Sequence, residues 1–332
     1  MVLFDVSTLL EFPRYGIGIP ALDSRKSRTL SSLTEHPLLS PLKEQWLQSA
    51  YDDVFTLEDL LRAHSPEYAK GFFDHRAQER LVAGFELQNP DGTRNRWNPE
   101  EAELPLSQMV PPLLKAMAGT YKGAKIALES GFCHFLGGGT HHGHHDFAHG
   151  FCPINDVAVT LQKLRFESRI QRAWVIDVDA HKGDGTAAIF HKDDGVYTLS
   201  AHMASGWPLD GSLPPHHPSW IPSSIDIPIE AGEEHQYLER LHDALQIMAQ
   251  SSHGADIAVV LAGADPWEHD GLSSSSRLKL TEEQLFARDQ LISQFLDSQG
   301  LPSLWLMAGG YGEEAWKIHR NFLQWKLLKH VS

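Results

Sequence analysis

The segment from Trp174 to His181 joins an apolar run to polar side chains that could bind a metal. The β-branched residues before Asp177 predict a buried strand, and Asp177, Asp179 and His181 follow at alternate positions. On an extended chain alternate side chains share one face, so these three are expected to point the same way. Two carboxylates and an imidazole are costly to desolvate unless a cation meets them. A divalent metal would do so; the alternative is loop acids hydrogen-bonded to neighbouring amides.

The elements that would position these residues alternate between strand and helix from about residue 106 onward. Strands are predicted at 132–136, 173–179, 196–200, 225–229, 257–262 and 303–308, and helices at 109–130, 156–166, 184–191, 233–251, 281–298 and 313–328. The fully apolar strands are typical of a parallel sheet. We therefore predict an α/β fold with a mostly parallel sheet, in a single domain over 1–332. The first hundred residues, with a helix at 57–62, are expected to pack on the same core.

Four of the predicted strands end in glycine-flanked polar residues. In open α/β sheets, sites form beyond the carboxyl ends of the strands. Glycines at such ends mostly serve turns, and a lone aspartate often caps a helix. Four polar ends together are harder to explain by turn chemistry alone. The segments concerned are 137–142, 179–185, 263–270 and 309–312.

Ligand counting suggests which of these residues would hold a metal. A catalytic zinc site keeps three protein ligands and one open position for water. Asp179, His181 and Asp265 supply three ligands from two strand ends. His141 and His142 are then the acid–base candidates, because a hydrolytic site needs a base near the metal-bound water.

Three further residues could support this chemistry. Asp177 and Asp184 could bind the outer ring nitrogens of the histidines and set their tautomer and basicity. Tyr311 could donate its hydroxyl to a carbonyl oxygen that gains charge; an ordinary core or rim tyrosine is the alternative. The alternative for the histidine pair is a generic histidine-rich tract. We expect the neighbouring histidines to be solvated loop residues: His144, His145 and His149.

Composition limits the classes of protein that fit. The net charge of −15 argues against nonspecific binding to nucleic acid or to an anionic membrane, and it mildly favours cationic substrates. The two cysteines, Cys133 and Cys152, lie in apolar stretches and are expected to be buried thiols. The N-terminus lacks the plan of a signal peptide, and no apolar run reaches membrane-spanning length. We therefore expect a cytoplasmic protein.

Four motifs resemble the signatures of the histone deacetylase superfamily. They occur in family order, and the resemblance extends from about Leu60 to near the C-terminus. The short chain and the sequence of 263–270 are most similar to bacterial single-domain members related to class IV deacetylases. The motifs are Gly138-Gly-Thr-His141-His142, followed after seven residues by Gly150-Phe-Cys-Pro-Ile-Asn-Asp156; Asp177-Val-Asp-Ala-His-Lys-Gly-Asp-Gly-Thr186; Gly263-Ala-Asp265; and Gly309-Gly-Tyr311.

The resemblance implies the arginase–deacetylase fold, a three-layer α/β/α sandwich around a mostly parallel sheet. It implies that Asp179, His181 and Asp265 bind Zn²⁺, or Fe²⁺ as in some members. A structural K⁺ is also implied, held largely by backbone carbonyls and the Ser200 hydroxyl, near Asp177, Asp179 and His181.

The catalytic roles also follow from the resemblance. His142 would be the general base and then the general acid, with His141 as its electrostatic partner. Asp184 would lie behind His142 and Asp177 behind His141. Tyr311 would polarise the amide carbonyl.

The resemblance further implies a channel for the acyl chain. Phe151 and Gly150 would line one wall and Trp207 the opposite wall, although packing alone could explain Phe151. The family arginine beneath the metal aligns with Lys26, which leaves the role of that position open.

The function that these residues predict is metal-dependent removal of an acetyl or acyl group from an amine such as acetyl-lysine. An acetylpolyamine or other small-molecule amidohydrolase is a second reading, which would differ in channel width and rim charge. A catalytically silent acyl-lysine binding module is a third, and it would be favoured if a ligand or Tyr311 were missing. The sequence does not determine the substrate, the acyl length, the metal used in the cell or the oligomeric state.

Overall fold

The computed structural model describes residues 1–329, which form an eight-stranded sheet flanked by helices. All the strand pairs described are parallel. The strand order is β2-β1-β3-β8-β7-β4-β5-β6. In chain order the strands are β1 (Val2–Leu3), β2 (Leu47–Gln48), β3 (Phe132–Phe135), β4 (Ala173–Asp177), β5 (Val196–Met203), β6 (Ile225–Ile229), β7 (Ile257–Leu261) and β8 (Ser303–Leu306).

Helices cover both faces of the sheet. Two apolar clusters, one on each face, contain most of the buried side chains. The three-layer α/β/α architecture expected from the resemblance is therefore confirmed. The helices are α1 (Ser24–Thr34), α2 (Lys43–Trp46), α3 (Leu57–Leu60), α4 (Pro66–Lys70), α5 (Ala77–Gly84), α6 (Val110–Ser130), α7 (Asp156–Phe166), α8 (Asp184–Phe190), α9 (Tyr237–Ser251), α10 (Glu282–Ser298) and α11 (Trp316–Leu328).

The predicted elements from residue 109 onward are all present, with bounds that move by a few residues. The predicted capping box at the start of α10 forms, since the Thr281 and Gln284 side chains each accept from the other's backbone N–H. Strand β5 runs three residues further than predicted, to Met203. The expected extended segment ends early, because β4 stops at Asp177. Asp179 and His181 therefore lie in the turn that follows the strand.

The N-terminal hundred residues add two strands to the sheet edge. Strand β1 pairs with β3 and β2 pairs with β1. Helix α1 packs against α11. The predicted helix at 57–62 is shorter, since α3 ends at Leu60. These residues join the same core, as expected, although their strands are too short to show a periodic pattern.

The four polar strand ends predicted from the sequence belong to neighbouring strands. Strands β3, β8, β7 and β4 lie side by side, so their carboxyl ends share one edge. The register aligns Phe135 with Leu306, Leu306 with Leu261, and Leu261 with Asp177. The sheet therefore delivers all four polar segments to one place.

Among the helices in residues 1–329, none has the length and apolar character needed to cross a bilayer. The two cysteines, Cys133 and Cys152, are buried free thiols, as expected.

Candidate active site

Asp179, His181 and Asp265 form a buried cluster at the ends of β4 and β7. One donor atom from each residue lies within 4.8 Å of the other two. Nδ1 of His181 is 3.2 Å from Oδ1 of Asp179 and 3.0 Å from Oδ2 of Asp265. This arrangement presents two carboxylate oxygens and one imidazole nitrogen to a single point, which is a ligand set suited to zinc or ferrous iron.

The electrostatics of the cluster also suit a cation. Burial, followed by the neighbouring Asp179 carboxylate, raises the pKa of Asp265 to about 7. Although burial opposes the charge on His181, the hydrogen bonds that Asp179 and Asp265 accept from its imidazole raise the pKa of the ring to about 10. In the metal-free protein, a proton on the His181 ring thus balances the negative charge of the neighbouring carboxylates. A divalent ion would displace that proton.

Glycines let the backbone approach these ligands closely. A Cβ added at Gly309 would lie 2.5 Å from Oδ2 of Asp179, and one at Gly263 would lie 2.6 Å from the same oxygen. The N–H of Gly309 donates to this oxygen at 2.8 Å. The glycines at these two strand ends are therefore required by the contact with Asp179.

The tandem histidines each have a carboxylate partner. Nδ1 of His141 lies 2.6 Å from Oδ2 of Asp177, and Nδ1 of His142 lies 2.6 Å from Oδ1 of Asp184. All four side chains are almost fully buried. The structure thus brings together the pairs that the sequence reading placed in contact.

The two imidazoles differ in protonation. Burial lowers the pKa of His141, but the carboxylates of Asp177 and Asp179 outweigh it and raise that pKa to about 9. Burial and the adjacent His141 lower the pKa of His142 to about 3, despite its contact with Asp184. The rings lie 4.0 Å apart, so a charge on one disfavours a charge on the other. His141 is therefore cationic and His142 neutral.

Asp184 accepts hydrogen bonds from more groups than the sequence suggested. Nε2 of His144 lies 3.1 Å from its Oδ2, and Nε2 of His149 lies 2.9 Å from the same oxygen. The Ser219 hydroxyl also donates to this oxygen. The expectation that His144 and His149 are solvated is wrong, because the carboxylate draws both rings inward. His145 is exposed, as expected, and its ring contacts the carbonyl of Ala63.

Tyr311 lies on a loop after β8 that two distant residues hold. The guanidinium of Arg25 donates to the carbonyls of residues 308, 309 and 310 at 2.6 to 3.0 Å. Oδ2 of Asp270 accepts from the N–H of Tyr311 at 2.7 Å. The resemblance aligned the family arginine with Lys26; in the structure the adjacent Arg25 contacts this loop, whereas Lys26 pairs with Asp23 at 2.8 Å.

A cavity of about 160 Å³ leads to these groups. Gly150, Phe151 and Trp207 line it, together with Tyr311 and the buried rings of His142 and His181. The Phe151 and Tyr311 rings lie 6.1 Å apart, and the Trp207 ring lies 4.6 Å from that of His142. The three predicted channel residues thus share one cavity.

A second cavity, of about 130 Å³, also borders His142 and Tyr311. Its walls include Met117, Arg25 and the glycines after β3. Lys26 also reaches this cavity. This cavity could not be predicted from the sequence, because its lining comes from segments far apart in the chain.

Ser200 lies beside the strand end that carries Asp177. The two residues are register partners on β5 and β4. The Ser200 hydroxyl lies 3.0 Å from Nδ1 of His202 and accepts from the N–H of Gly183 at 3.4 Å. This places the hydroxyl next to the turn that contains Asp179 and His181, where the resemblance expects K⁺.

The chain is similar in sequence to several known proteins. An uncharacterized protein of Picosynechococcus sp. is 30% identical over 66% of this chain and 68% of its own. Histone deacetylase 2 of Arabidopsis thaliana is 27% identical over 62% of this chain and 51% of its own. Acetoin utilization protein AcuC of Staphylococcus aureus is 32% identical over 56% of this chain and 47% of its own. The match therefore spans about half the length of the last two proteins.

The fold has a solved counterpart. The structure of a histone deacetylase homologue in complex with SAHA superposes with a TM-score of 0.71 at 20% identity, over 99% of this chain and 84% of that one. The likeness confirms the arginase–deacetylase type of fold. The family described as the histone deacetylase domain matches residues 20–323. Since that match covers most of the chain, the protein belongs to the histone deacetylase family.

Proposed function

We propose that this protein is a metal-dependent amide hydrolase that removes an acetyl group from an amine such as acetyl-lysine. The observation that carries the proposal is the convergence of three metal-ligand side chains with two histidine–carboxylate pairs at the inner end of one channel. Membership of the histone deacetylase family supports the same reaction class. A single catalytic domain over 1–332 and a cytoplasmic location remain predictions.

Asp179, His181 and Asp265 would hold the metal, Zn²⁺ or Fe²⁺. The fit rests on two neighbouring buried carboxylates that face the same ring nitrogen, since such a group is costly without a cation. When bound, the metal supplies Lewis acidity to the scissile carbonyl and to the attacking water. Nε2 of His181 lies 3.2 Å from the Ser274 hydroxyl, a contact that would orient the ring.

The residues of the chain divide the proton transfers between them. Asp184 holds Nδ1–H of His142, which leaves Nε2 of the neutral ring free to accept a proton from the attacking water. The same nitrogen returns that proton to the departing amine. Cationic His141, fixed by Asp177, stabilises negative charge as it develops, and the Tyr311 hydroxyl donates to the carbonyl oxygen. Burial and the carboxylates of Asp179 and Asp265 raise the pKa of Tyr311, so the phenol stays a donor.

Two supporting roles remain proposals. Phe151, Gly150 and Trp207 would enclose the acyl-bearing alkyl chain. A K⁺ near Asp177 and Ser200 would stabilise the turn that presents Asp179 and His181.

The direct test is hydrolysis by purified protein loaded with Zn²⁺ or Fe²⁺. Acetyl-lysine peptide and N-acetylputrescine are supplied side by side, and acetate release is measured. We expect acetate from at least one substrate, loss of activity on chelation, and loss in His142→Ala. An acyl-lysine binding module would instead bind the peptide and release no acetate with either metal.

A further inference from the structure

The mouth of the channel carries an arginine that the proposed chemistry does not use. Arg96 lines the outer part of the 160 Å³ cavity together with Glu86 and Phe151. The Cζ atom of Arg96 lies 5.5 Å from the centre of the Phe151 ring, and the Phe151 ring lies 6.1 Å from that of Tyr311. The Phe151 ring therefore neighbours both residues, and Arg96 lies further out than Tyr311, which would contact the scissile carbonyl.

The backbone around Arg96 is fixed. Arg96 has a φ of 52°, in the left-handed region that few non-glycine residues adopt. Its carbonyl accepts from the N–H of Gly18 at 2.8 Å, and Ile17 bridges to Trp97, the next residue. On the other side, the side-chain amide of Asn95 donates to the Glu86 carbonyl at 2.9 Å. Contacts on both sides therefore fix the backbone position from which the Arg96 side chain reaches the cavity.

Arg96 has no carboxylate within ion-pair distance in the described part of the chain. The neighbouring Arg94, by contrast, pairs with Glu100. Glu86, the acid that shares the mouth, accepts from the N–H of Gly150 at 2.9 Å and so supports the channel wall. An unpaired guanidinium is notable in a chain with 43 acidic and 28 basic residues. The overall charge favours cationic ligands, whereas the unpaired guanidinium of Arg96 offers a binding group for an anion.

A guanidinium matches a carboxylate through two parallel hydrogen bonds. In acetyl-lysine, a four-carbon stem separates the acylated nitrogen from the carbon that bears the carboxyl group. A stem passing between Phe151 and Trp207 would bring that carboxyl group out toward the mouth. An acetylated polyamine would instead present a cationic ammonium group to Arg96, which the like charge disfavours.

We propose that Arg96 binds a substrate carboxylate, so that the enzyme prefers acylated amines whose alkyl chain ends in a carboxyl group, such as acetyl-lysine with a free α-carboxylate. This inference rests on the proposed deacetylase function. The substrate carboxylate would be the group that the channel mouth recognises.

The test compares an acid and an amide that differ in this group alone. Acetyl-lysine, capped on its α-amine, is supplied as the α-carboxylate and as the α-carboxamide; N-acetylcadaverine, which has no carboxyl group and a free ammonium group, represents the cationic substrates. We expect kcat/KM to be about tenfold or more higher for the acid than for the amide at low salt. The preference should shrink as salt rises, because the arginine is exposed.

Three variants assign the preference to the side chain. Arg96→Met should lose at least most of the tenfold ratio, and Arg96→Lys should keep part of it as a single-point cation. Arg94→Met removes a nearby arginine that is already paired, and it should keep the wild-type ratio. Peptides with aspartate or asparagine after an internal acetyl-lysine show whether a side-chain carboxylate serves equally well; an Arg96-dependent preference for the aspartate peptide supports the same binding site.

The results distinguish the role of Arg96 from the proposed deacetylase function. Hydrolysis of acid and amide at equal rates by the wild type, or an unchanged ratio in Arg96→Met, overturns the role of Arg96 and leaves the deacetylase proposal standing. Hydrolysis of no substrate by the metal-loaded wild type overturns the proposed function and this inference with it.

Discussion

Nη1 of Arg25 lies 2.6 Å from the carbonyl oxygen of Gly309, two residues before Tyr311. The same guanidinium donates to the carbonyls of Ala308 and Gly310, so one side chain from helix α1 holds three consecutive peptide groups. Ala308 has a φ of 45°, and Gly310 has a φ of 132°. Arg25 therefore holds a loop with two residues at positive φ, together with Asp270, which accepts from the N–H of Tyr311.

Replacing Arg25 by methionine should therefore impair catalysis through Tyr311. We expect kcat to fall about 10- to 100-fold, because a misplaced catalytic group costs rate steeply, while KM changes less. Steady-state kinetics on an acetyl-lysine peptide measures the effect. Lys26→Met is the matched control, since the Lys26 amine pairs with Asp23, whereas Arg25 makes the hydrogen bonds to the loop carbonyls. Equal kcat in the two variants would show that Arg25 does not position Tyr311.

Two variants should distinguish the residues that bind the metal from the residue that polarises the carbonyl. Tyr311→Phe removes a hydroxyl that is no metal ligand, so we expect stoichiometric metal and a kcat lower by about 10²- to 10³-fold. Asp179→Ala removes a proposed ligand and should lose the metal. Equilibrium dialysis against Zn²⁺ with metal analysis, alongside acetate release, distinguishes them. Wild-type turnover in both variants would refute the assignment of these roles.

The sequence revealed the parts of the site that lie near strand ends. Asp179, His181 and Asp265 could be identified because polar residues after apolar strands break a strong local pattern. The parallel sheet then brings those ends to one edge, which is a general property of the fold. Which carboxylate pairs with which histidine was implied by the family resemblance rather than by the strand pattern, and the structure shows His141 with Asp177 and His142 with Asp184.

The parts that escaped prediction depend on contacts between distant segments. Arg25 lies 284 residues from Gly309, and no local pattern separates it from Lys26, its neighbour on the same helix. His149 resembled its exposed neighbour His145 in sequence, yet it reaches a carboxylate 35 positions away. The N-terminal strands are two residues each and carry no periodicity to detect.

His149 should contribute to turnover through Asp184. Its Nε2–H donates to Oδ2 of the carboxylate that holds His142, so it helps to fix the orientation of the base. His149→Ala should lower kcat by about tenfold, within the range seen when outer hydrogen-bond partners of a site are removed. The loss should be smaller than in Asp184→Ala, because His144 and Ser219 still hold the carboxylate.

The matched control for His149 lies four residues earlier. His145 is exposed and contacts the backbone carbonyl of Ala63, so His145→Ala should stay within about twofold of the wild type. Both variants are assayed on the same acetyl-lysine peptide. A similar rate loss in the two would indicate a general effect of the loop rather than a role for the Asp184 contact.

His64 should make the protein less stable as the pH falls. This buried ring donates from Nδ1 to the His144 carbonyl at 2.8 Å and accepts at Nε2 from the N–H of Asn155 at 3.1 Å, an arrangement that requires the neutral form. Burial is the main cause that lowers the pKa of His64 from 6.5 to about 4. Between these values the unfolded chain binds a proton that the folded protein does not, so the free energy of unfolding decreases as pH falls through that window.

The decrease due to His64 amounts to about 3 kcal/mol between pH 6.5 and 4, given about 1.4 kcal/mol per pKa unit. In His64→Gln we expect a lower free energy of unfolding at pH 7, by about 1 to 3 kcal/mol, because the two hydrogen bonds are disturbed. The further loss on acidification should be smaller than in the wild type by about 3 kcal/mol. Urea unfolding of the metal-free protein at pH 7 and 4 measures both quantities without interference from metal release. His75→Gln, at a side chain that is 90% exposed, should follow the wild-type pH dependence, and a His64→Gln curve parallel to that of the wild type would contradict the assignment.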